Sequence, residues 1–211
     1  MTTLEDRPVR ASDTREYLTL DVAAQELLFT SARTASTFMD EPVSEEQVHA
    51  IYELVKWAPT AMNTQPLRVV LVRSQQARER LVSHMAAGNQ AKTATAPLVA
   101  ILAADTNFHQ HLDELLPYVE NASSRFADEG AREQAARFNA TLQAGYFLLG
   151  IRAAGLAAGP MGGFDASGID AEFFSGTGLR SFLVVNIGRP GGNAWMDRLP
   201  RLHHDDVVTV L

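Results

Sequence analysis

The sequence predicts an α+β fold in which helices pack around a small sheet. Two observations carry this prediction. The strand candidates are few, and each is a short apolar run bounded by polar residues, at 68–73, 98–104 and 179–188. Longer segments with helical apolar spacing fill most of the remaining chain. They do not alternate regularly with the strands, so a regular βαβ series is not expected.

Composition limits the classes of protein that the chain can represent. The 211 residues are 46% apolar and contain no cysteine, so we expect one globular domain without disulfides or thiolate metal sites. The net charge is −7 and no basic stripe is visible, which argues against nucleic-acid binding. Residues 1–15 are polar and no apolar run is long enough to span a membrane, so we expect a cytoplasmic protein without a signal peptide.

The N-terminal quarter begins with a predicted flexible arm at residues 1–19, and residues 20–211 are predicted to form the single domain. A short helix is expected at 21–29, followed by a small polar loop at 31–40. Ser44 and Gln47 form a capping-box pattern that predicts a helix start, and Pro59 ends that helix.

The next segment contains two of the three strand candidates. A polar loop at 58–66 precedes the strand candidate at 68–73, and Ser74 caps a helix that runs to about residue 85. Residues 88–96 are expected to be irregular before the second strand at 98–104. Residues 105–130 are expected to contain short helices and loop.

The longest helix is predicted at 131–154, and Gly155 supplies its C-cap. Its apolar positions share one face: Ala135, Phe138, Leu142, Tyr146, Leu149 and Ala153. Small residues such as Gly145 and Ala153 would let a partner approach closely. Asn139 and Gln143, four residues apart, also share a face, and they could face a ligand site or bond a neighbouring loop or subunit.

The most informative segment is 155–165, which holds four glycines and a proline in eleven residues. Such a composition is expected in neither a helix interior nor a well-packed strand. We expect a loop whose backbone N–H groups approach a flat or anionic ligand. A short helix at 169–174 and the strand at 179–188 follow, and the tail carries scattered arginines.

Several familiar motifs are absent. The glycine segment follows a helix and lacks the dinucleotide-binding spacing, and neither a P-loop nor a nucleophile elbow occurs. The histidine pairs at 109/111 and 203/204 do not have metal-ligand spacing, so we predict no metal site. A metal-dependent hydrolase therefore stays a minor alternative that depends on these histidines alone.

Polar groups recur in five segments that lie beside predicted strand or helix ends. These segments are 33–36, 63–66, 89–92, 160–163 and 198–201. Together they supply arginines suited to a phosphate, amides suited to a heteroaromatic edge, one lysine, and glycine N–H groups.

The order of these segments resembles that of the nitroreductase-like FMN-dependent oxidoreductases, from about residue 27 to the C-terminus. The motifs are Phe-Thr-Ser-Ala-Arg-Thr at 29–34, Lys-Trp-Ala-Pro-Thr at 56–60, Gly-Asn-Gln-Ala-Lys-Thr at 88–93, Thr-Ala-Pro at 95–97, Gly-Pro-Met-Gly-Gly-Phe-Asp at 159–165 and Arg-Leu-Pro-Arg-Leu at 198–202. Within the family, the chain looks most similar to the malonic semialdehyde reductases, also called 3-hydroxypropanoate dehydrogenases. The resemblance implies a mainly antiparallel central sheet surrounded by helices, and an intertwined homodimer with FMN at its interface.

The resemblance also implies roles for individual residues. Arg33 and Thr34 match a loop that grips the FMN phosphate and ribityl chain. Ser36 stands where many relatives carry a second basic residue, and Arg198 or Arg201 would compensate for it. Further residues implied at the cofactor are Asn89 and Lys92 at the flavin pyrimidine, Thr60, Asn63 and Gln65 from the other subunit, and Pro160, Met161, Gly162 and Gly163 at the reacting edge.

The implied reaction is a ping-pong transfer of hydride from NAD(P)H through flavin N5 to malonic semialdehyde or a similar small carbonyl, nitro or quinone acceptor. It requires no essential catalytic side chain, so the Gly162 backbone N–H and Lys92 are only electrostatic candidates. The candidates for binding a substrate carboxylate are Arg68, Arg125, Arg132 and Arg137. The alternative function is a flavin carrier or sensor without turnover.

Overall fold

The computed structural model describes residues 17–211. The chain divides into two compact units, the residues up to Ala32 and Arg33–Leu211. In the first unit, α1 (Val22–Gln25) begins at an Asp21 cap and continues into a π-helical turn at Glu26–Thr30, which confirms the expected short helix. Most of the predicted arm at 1–19 lies outside the described residues, and the single domain at 20–211 stays a prediction.

The second unit is built on a four-stranded antiparallel sheet in the order β1-β2-β4-β3. The strands are β1 (Leu67–Val72), β2 (Leu98–Asp105), β3 (Ala157–Met161) and β4 (Leu179–Gly188). The three predicted strands are confirmed. Residues 98–104 of β2 are at most 2% exposed, so the centre of the sheet is covered on both faces.

Strand β3 corrects the prediction that residues 155–165 form a loop. It pairs with β4 from Ala157 to Met161 even though it contains Gly159 and Pro160. Because β3 lies at the edge of the sheet, it pairs with a strand on one side only. The N–H group that Pro160 lacks is therefore not needed to bond a second neighbouring strand.

The second unit has seven α-helices, of which the last lies in the exposed C-terminal tail. They are α2 (Glu45–Val55), α3 (Gln75–His84), α4 (Ala87–Thr95), α5 (Leu112–Leu115), α6 (Glu129–Ala153), α7 (Ala166–Phe173) and α8 (His204–Val207). The Ser44–Gln47 capping box and the Ser74 cap are present as predicted. Short 3-10 turns at Phe108–His111 and Ala122–Phe126 flank α5, which agrees with the short helices expected at 105–130.

Helix α4 corrects the prediction of an irregular segment at 88–96. Its N-cap is Ala86, which makes no side-chain capping bond, and the helix contains Gly88 and two threonines, which are weak helix formers. Local sequence therefore gives no start signal, and tertiary contacts at both ends hold the helix.

Helix α6 has the predicted length, and much of its predicted apolar face is exposed. Phe138 is 64% exposed, and Leu142 and Tyr146 are each 43% exposed. The inner face instead consists of smaller or polar residues together with two large apolar ones: Ala136, Asn139, Ala140, Ala144, Phe147, Gly150 and Ile151. Among residues 17–211 no helix is both long and apolar enough to cross a bilayer.

Candidate functional site

The loop that begins at Arg33 lies along the outer edge of β3. The Ala35 N–H donates to the Ala158 carbonyl at 3.0 Å, and the Ser36 N–H donates to the Ala194 carbonyl at 2.9 Å. A Cβ at Gly159 would lie 2.6 Å from the Ala35 carbonyl oxygen. Glycine at 159 is therefore what lets this loop reach β3.

Side chains then tie the same loop to the segment after β4. The Ser36 hydroxyl donates to the Ala194 carbonyl at 3.1 Å, and Arg33 Nη1 donates to the Met196 carbonyl at 3.2 Å. Ser36 stands where the family resemblance led us to expect a basic residue, and here its hydroxyl binds the segment after β4. Arg33 and Thr34 are exposed, and a guanidinium has five N–H donors, so Arg33 retains capacity for an anion.

The N-terminal turn of α4 meets the other end of β3. Asn89 Nδ2 and the Ala86 N–H both donate to the Gly163 carbonyl, at 2.8 and 3.0 Å. A Cβ at Gly163 would lie 2.9 Å from Asn89 Nδ2, whereas one at Gly162 would meet nothing within 4 Å. Gly162 therefore borders open space beside the Asn89 amide.

Lys92 lies one turn further along α4 and is half-buried. It forms no ion pair with any residue of the described range. Pro160 is half-buried, but the Met161 side chain is 5% exposed and contacts the hydroxyl of buried Thr93, with Sδ 3.8 Å away. Only backbone atoms of Met161 are thus available to a ligand.

We name the exposed and half-buried groups along this edge the β3 cluster: Arg33, Thr34, Asn89, Lys92, Gly162 and Gly163. From Ala158 to Gly163 the edge extends about 17 Å at the usual rise per strand residue. The cluster offers a cation at one end and an amide, a lysine and open glycine backbone at the other. Such a row suits an elongated ligand with an anionic end and a planar polar end.

Three of the remaining predicted site residues, Thr60, Asn63 and Gln65, are not brought to the β3 cluster. Thr60, Asn63 and Gln65 precede β1 at the opposite edge of the sheet, and three strand spacings separate those edges by about 14 Å. Arg198 and Arg201 lie in the exposed tail. Arg201 Nη1 donates to the carbonyls of Leu199 and Pro200, both at 3.0 Å.

The loop before β1 is strained. Met62, Asn63 and Gln65 have φ values of 52°, 52° and 41°, in the left-handed region that residues other than glycine rarely occupy. Backbone strain of this kind persists only where the surroundings enforce it, and it is concentrated at functional sites. This makes the loop a second candidate site.

Two side chains of α6 hold the strained loop in place. Asn139, which is 2% exposed, accepts the Ala61 N–H at 2.8 Å, and Gln143 accepts the Leu67 N–H at 2.9 Å. Of the two roles open for this pair, the structure shows bonding to a neighbouring loop. The sequence signal was a pair of polar amide side chains four residues apart on one helix face.

The four arginines proposed to bind a substrate carboxylate differ in the groups that they already contact. Arg68 is paired with Asp105 at 2.7 Å, and Arg132 donates from Nε to the Thr106 carbonyl at 3.0 Å. The Arg137 guanidinium lies over the ring of Phe182, 4.9 Å from its centre. Arg125 is exposed and makes no hydrogen bond, ion pair or ring contact with a described residue.

The histidines do not form a metal site within the described chain. Residues 17–211 hold no group of three histidine or acidic side chains arranged to bind a metal ion. His203 and His204 are exposed on the tail. The hydrolase alternative therefore has no support from geometry.

Comparison with known proteins points to one family. The model of the nitroreductase family matches residues 30–189. A protein of Streptomyces griseus, provisionally named an NADH dehydrogenase/NAD(P)H nitroreductase, is 61% identical over 195 residues, which is 92% of this chain and 99% of that protein. A similarly named protein of Streptomyces coelicolor is 60% identical over 195 residues, with the same coverage.

Solved structures share the fold. A provisionally described nitroreductase from Bacillus subtilis superposes with a TM-score of 0.79 at 25% identity, over 90% of this chain and 100% of that chain. A protein of Exiguobacterium sibiricum, solved in complex with FMN, gives a TM-score of 0.78 at 18% identity, over 89% of this chain and 96% of that chain.

Gly159→Ala should lower the free energy of unfolding by about 1–3 kcal/mol, because the added Cβ collides with the Ala35 carbonyl and the backbone must shift. Gly162→Ala is the matched control. Its Cβ meets nothing within 4 Å, so stability should be unchanged or up to about 1 kcal/mol higher. Urea unfolding at one protein concentration measures both variants, and equal stabilities would contradict the close approach at Gly159.

Proposed function

Because the chain belongs to the nitroreductase family, we propose that it is an FMN-dependent NAD(P)H oxidoreductase and that the β3 cluster holds the FMN. One observation carries the proposal. Three segments far apart in sequence, at Arg33, at Asn89 and at Gly162, meet along one edge of β3. The FMN-bound neighbour with the same fold supports the choice of cofactor.

The donor set fits this cofactor. Arg33 presents an exposed guanidinium for the phosphate, which is useful in a chain whose net charge is −7. The uncapped N-terminal turn of α4 directs the positive end of its dipole toward the site and carries Asn89 for the pyrimidine edge. Gly162 leaves open space for a planar ring.

Bound FMN would take hydride from NAD(P)H at N5 and pass it to an acceptor. The protein's part is binding, orientation and electrostatics. Lys92 lies on the same helix as Asn89, and a cation there would stabilise negative charge on the reduced cofactor. The exposed Gly162 leaves room for reductant and acceptor to use the same face in turn, which is the basis for expecting ping-pong kinetics.

Arg33→Ala should weaken FMN binding about 10- to 100-fold, since a charge-assisted hydrogen bond is worth about 1.5–3 kcal/mol. Arg80→Ala is the control, because Arg80 is a surface arginine paired with Glu172 on α7, outside the β3 cluster. FMN fluorescence titration of the apoproteins measures both affinities. If Arg33→Ala binds FMN as tightly as the wild type, Arg33 does not bind the phosphate. If the folded wild type does not bind FMN, the proposed function is wrong.

We further propose that the active form is a homodimer in which the strained loop reaches the FMN of the partner subunit. The loop residues Thr60, Asn63 and Gln65 lie at the sheet edge opposite the β3 cluster, so they cannot serve the same FMN within one chain. The exposed stripe of α6, at Phe138, Leu142 and Tyr146, is the apolar surface that a second copy would cover.

Other uncovered surfaces support the same arrangement. No strand within residues 17–211 pairs with the outer edge of β1, and a cleft of about 950 Å³ lies there between β1, α2 and α6. The C-terminal tail carries exposed apolar residues, with Val210 at 90% and Leu199 at 74%. The tail and the cleft both present apolar side chains, which suits exchange between two copies.

Leu142→Glu should weaken dimer formation by about 100-fold or more, because an unpaired charge would be buried at the interface. The control is Thr141→Glu, which adds the same charge about 100° around the helix. Sedimentation velocity over a range of protein concentrations gives the dissociation constant. A Leu142→Glu variant that dimerises like the wild type would exclude this stripe from the interface.

For the acceptor we propose malonic semialdehyde, or a small carbonyl compound that also carries a carboxylate. A carboxylate needs a cation whose N–H donors are available, and among the four candidate arginines Arg125 is the one that makes no hydrogen bond, ion pair or ring contact with a described residue. Its 3-10 turn packs with Leu112 and Leu116 in a cluster that also includes Met62 of the strained loop. The turn that carries Arg125 therefore packs in the same cluster as the loop that we propose at the flavin.

Arg125→Ala should lower kcat/KM for malonic semialdehyde about 10- to 100-fold and leave kcat/KM for an uncharged nitroaromatic unchanged. Arg137→Ala, which removes an arginine stacked on Phe182, is the control. Equal losses for both acceptors would contradict a carboxylate role. If NADH and NADPH reduce the wild-type flavin slowly and no acceptor is turned over, the function is that of a flavin carrier or sensor and not that of an oxidoreductase.

A further inference from the structure

Helix α4 carries both Asn89 and Lys92, so whatever fixes this helix also fixes two groups of the β3 cluster. Its first turn is held by the Gly163 carbonyl, which accepts from Asn89 Nδ2 and from the Ala86 N–H. Its last turn presents carbonyls that have no partner inside the helix. Buried side chains from outside the helix bind those carbonyls.

Asn186 is the first of these side chains. It lies in β4, is 0% exposed, and donates from Nδ2 to the Lys92 carbonyl at 3.1 Å. Its Oδ1 is buried and has no hydrogen-bond partner in the described residues. An orphaned buried acceptor is unfavourable, and an apolar side chain of similar size would avoid it. The hydrogen bond from Asn186 Nδ2 to the Lys92 carbonyl is therefore the interaction that offsets the cost of the unpaired Oδ1.

Arg78 of α3 holds the end of the same turn. It is 6% exposed, has no carboxylate partner among the described residues, and donates from Nη1 to the carbonyls of Thr93 and Ala96. Burial lowers the pKa of its guanidinium from the ordinary value. A cation at this end of α4 also complements the helix dipole, whose positive end is directed at the β3 cluster.

We propose that Asn186 is a positioning residue for Lys92. Its hydrogen bond to the Lys92 carbonyl fixes the rotation of α4 and hence where the Lys92 ammonium and the Asn89 amide stand against bound FMN. Asn186 itself is fully buried and does not touch the cofactor. The inference rests on the proposed function, because it assumes that FMN occupies the β3 cluster.

Two substitutions test this role through different chemistry. Asn186→Leu keeps the approximate volume and removes the donor at every pH. Asn186→Asp keeps the shape, and its carboxyl can donate to the Lys92 carbonyl only while it is protonated. Burial raises the pKa of such a carboxyl, so the neutral form should persist above the usual carboxyl range.

The readouts are the FMN dissociation constant and the FMN midpoint potential of the full-length protein as a function of pH. Asn186→Leu should bind FMN about tenfold more weakly at all pH values. It should also lower the potential by about 30 mV, which is a tenfold change in the ratio of affinities for reduced and oxidised FMN. Asn186→Asp should match the wild type at low pH and lose affinity as the new carboxyl ionises.

Ser181→Ala is the matched control. Ser181 also lies in β4, is 4% exposed, and donates to a helix carbonyl, but that carbonyl is Ala166 at the start of α7. Its FMN affinity and potential should stay at wild-type values at every pH. Urea unfolding of each variant separates a loss of positioning from a loss of fold.

The outcomes separate the two proposals. If the wild type binds FMN and both Asn186 variants bind it with unchanged affinity and potential, Asn186 does not position Lys92. If Asn186→Leu does not fold, the pH profile of Asn186→Asp decides, and a profile parallel to that of the wild type overturns the inference. If the folded wild type takes up no FMN, the proposed function fails and this inference fails with it.

Discussion

At Gly159 two backbone segments approach more closely than a side chain at position 159 would allow. The Ala35 carbonyl occupies the place of the missing Cβ, and the rest of the candidate site depends on that contact. Gly188 and Gly191 enlarge the same space, because a Cβ at either position would press on Phe38 at 3.2–3.3 Å. Glycines from β3, β4 and the segment after β4 thus leave room for the loop that carries Arg33 and Thr34. The glycine-rich character of this region is a packing requirement of the edge strand as much as a device for approaching a ligand.

Electrostatics at the site come from a few fixed groups in an acidic protein. Arg33 is exposed at one end of the β3 cluster, Lys92 is half-buried near the other, and Arg78 is buried behind α4. Only the first two can face a ligand. Arg78 acts on the backbone, so its charge orients a helix instead of binding an anion. Removing charge at these three positions would therefore have three different physical consequences despite the similar chemistry of the side chains.

What could be predicted from the sequence depended on how local the determining interactions are. The Ser44–Gln47 capping box and the apolar run of β4 are local signals, and both gave correct elements. Helix α4 was missed because its supports, Asn186 and Arg78, lie in other elements.

The same limit explains the error at β3. Strand β3 was predicted to be a loop because glycine and proline usually break strands, and only its place at the sheet edge makes them acceptable. In α6 the sequence predicted the helix and its apolar face, but which face is buried depends on the elements that pack against it. The site residues Arg33 and Asn89 came from family resemblance, whereas Asn139, Gln143 and Asn186 hold backbone groups and carry no motif.

The uncovered edge of β1 has a consequence for how the protein behaves in solution. Residues 67–72 read Leu-Arg-Val-Val-Leu-Val, and within the described chain no strand satisfies the outward N–H and C=O groups of this segment. A long apolar edge of this kind is a template for pairing with other chains and so for aggregation. Arg68 and Arg73 at its ends are the charged residues that oppose such pairing. Colloidal stability of the purified protein should therefore depend on what covers β1, independently of how well the core is packed.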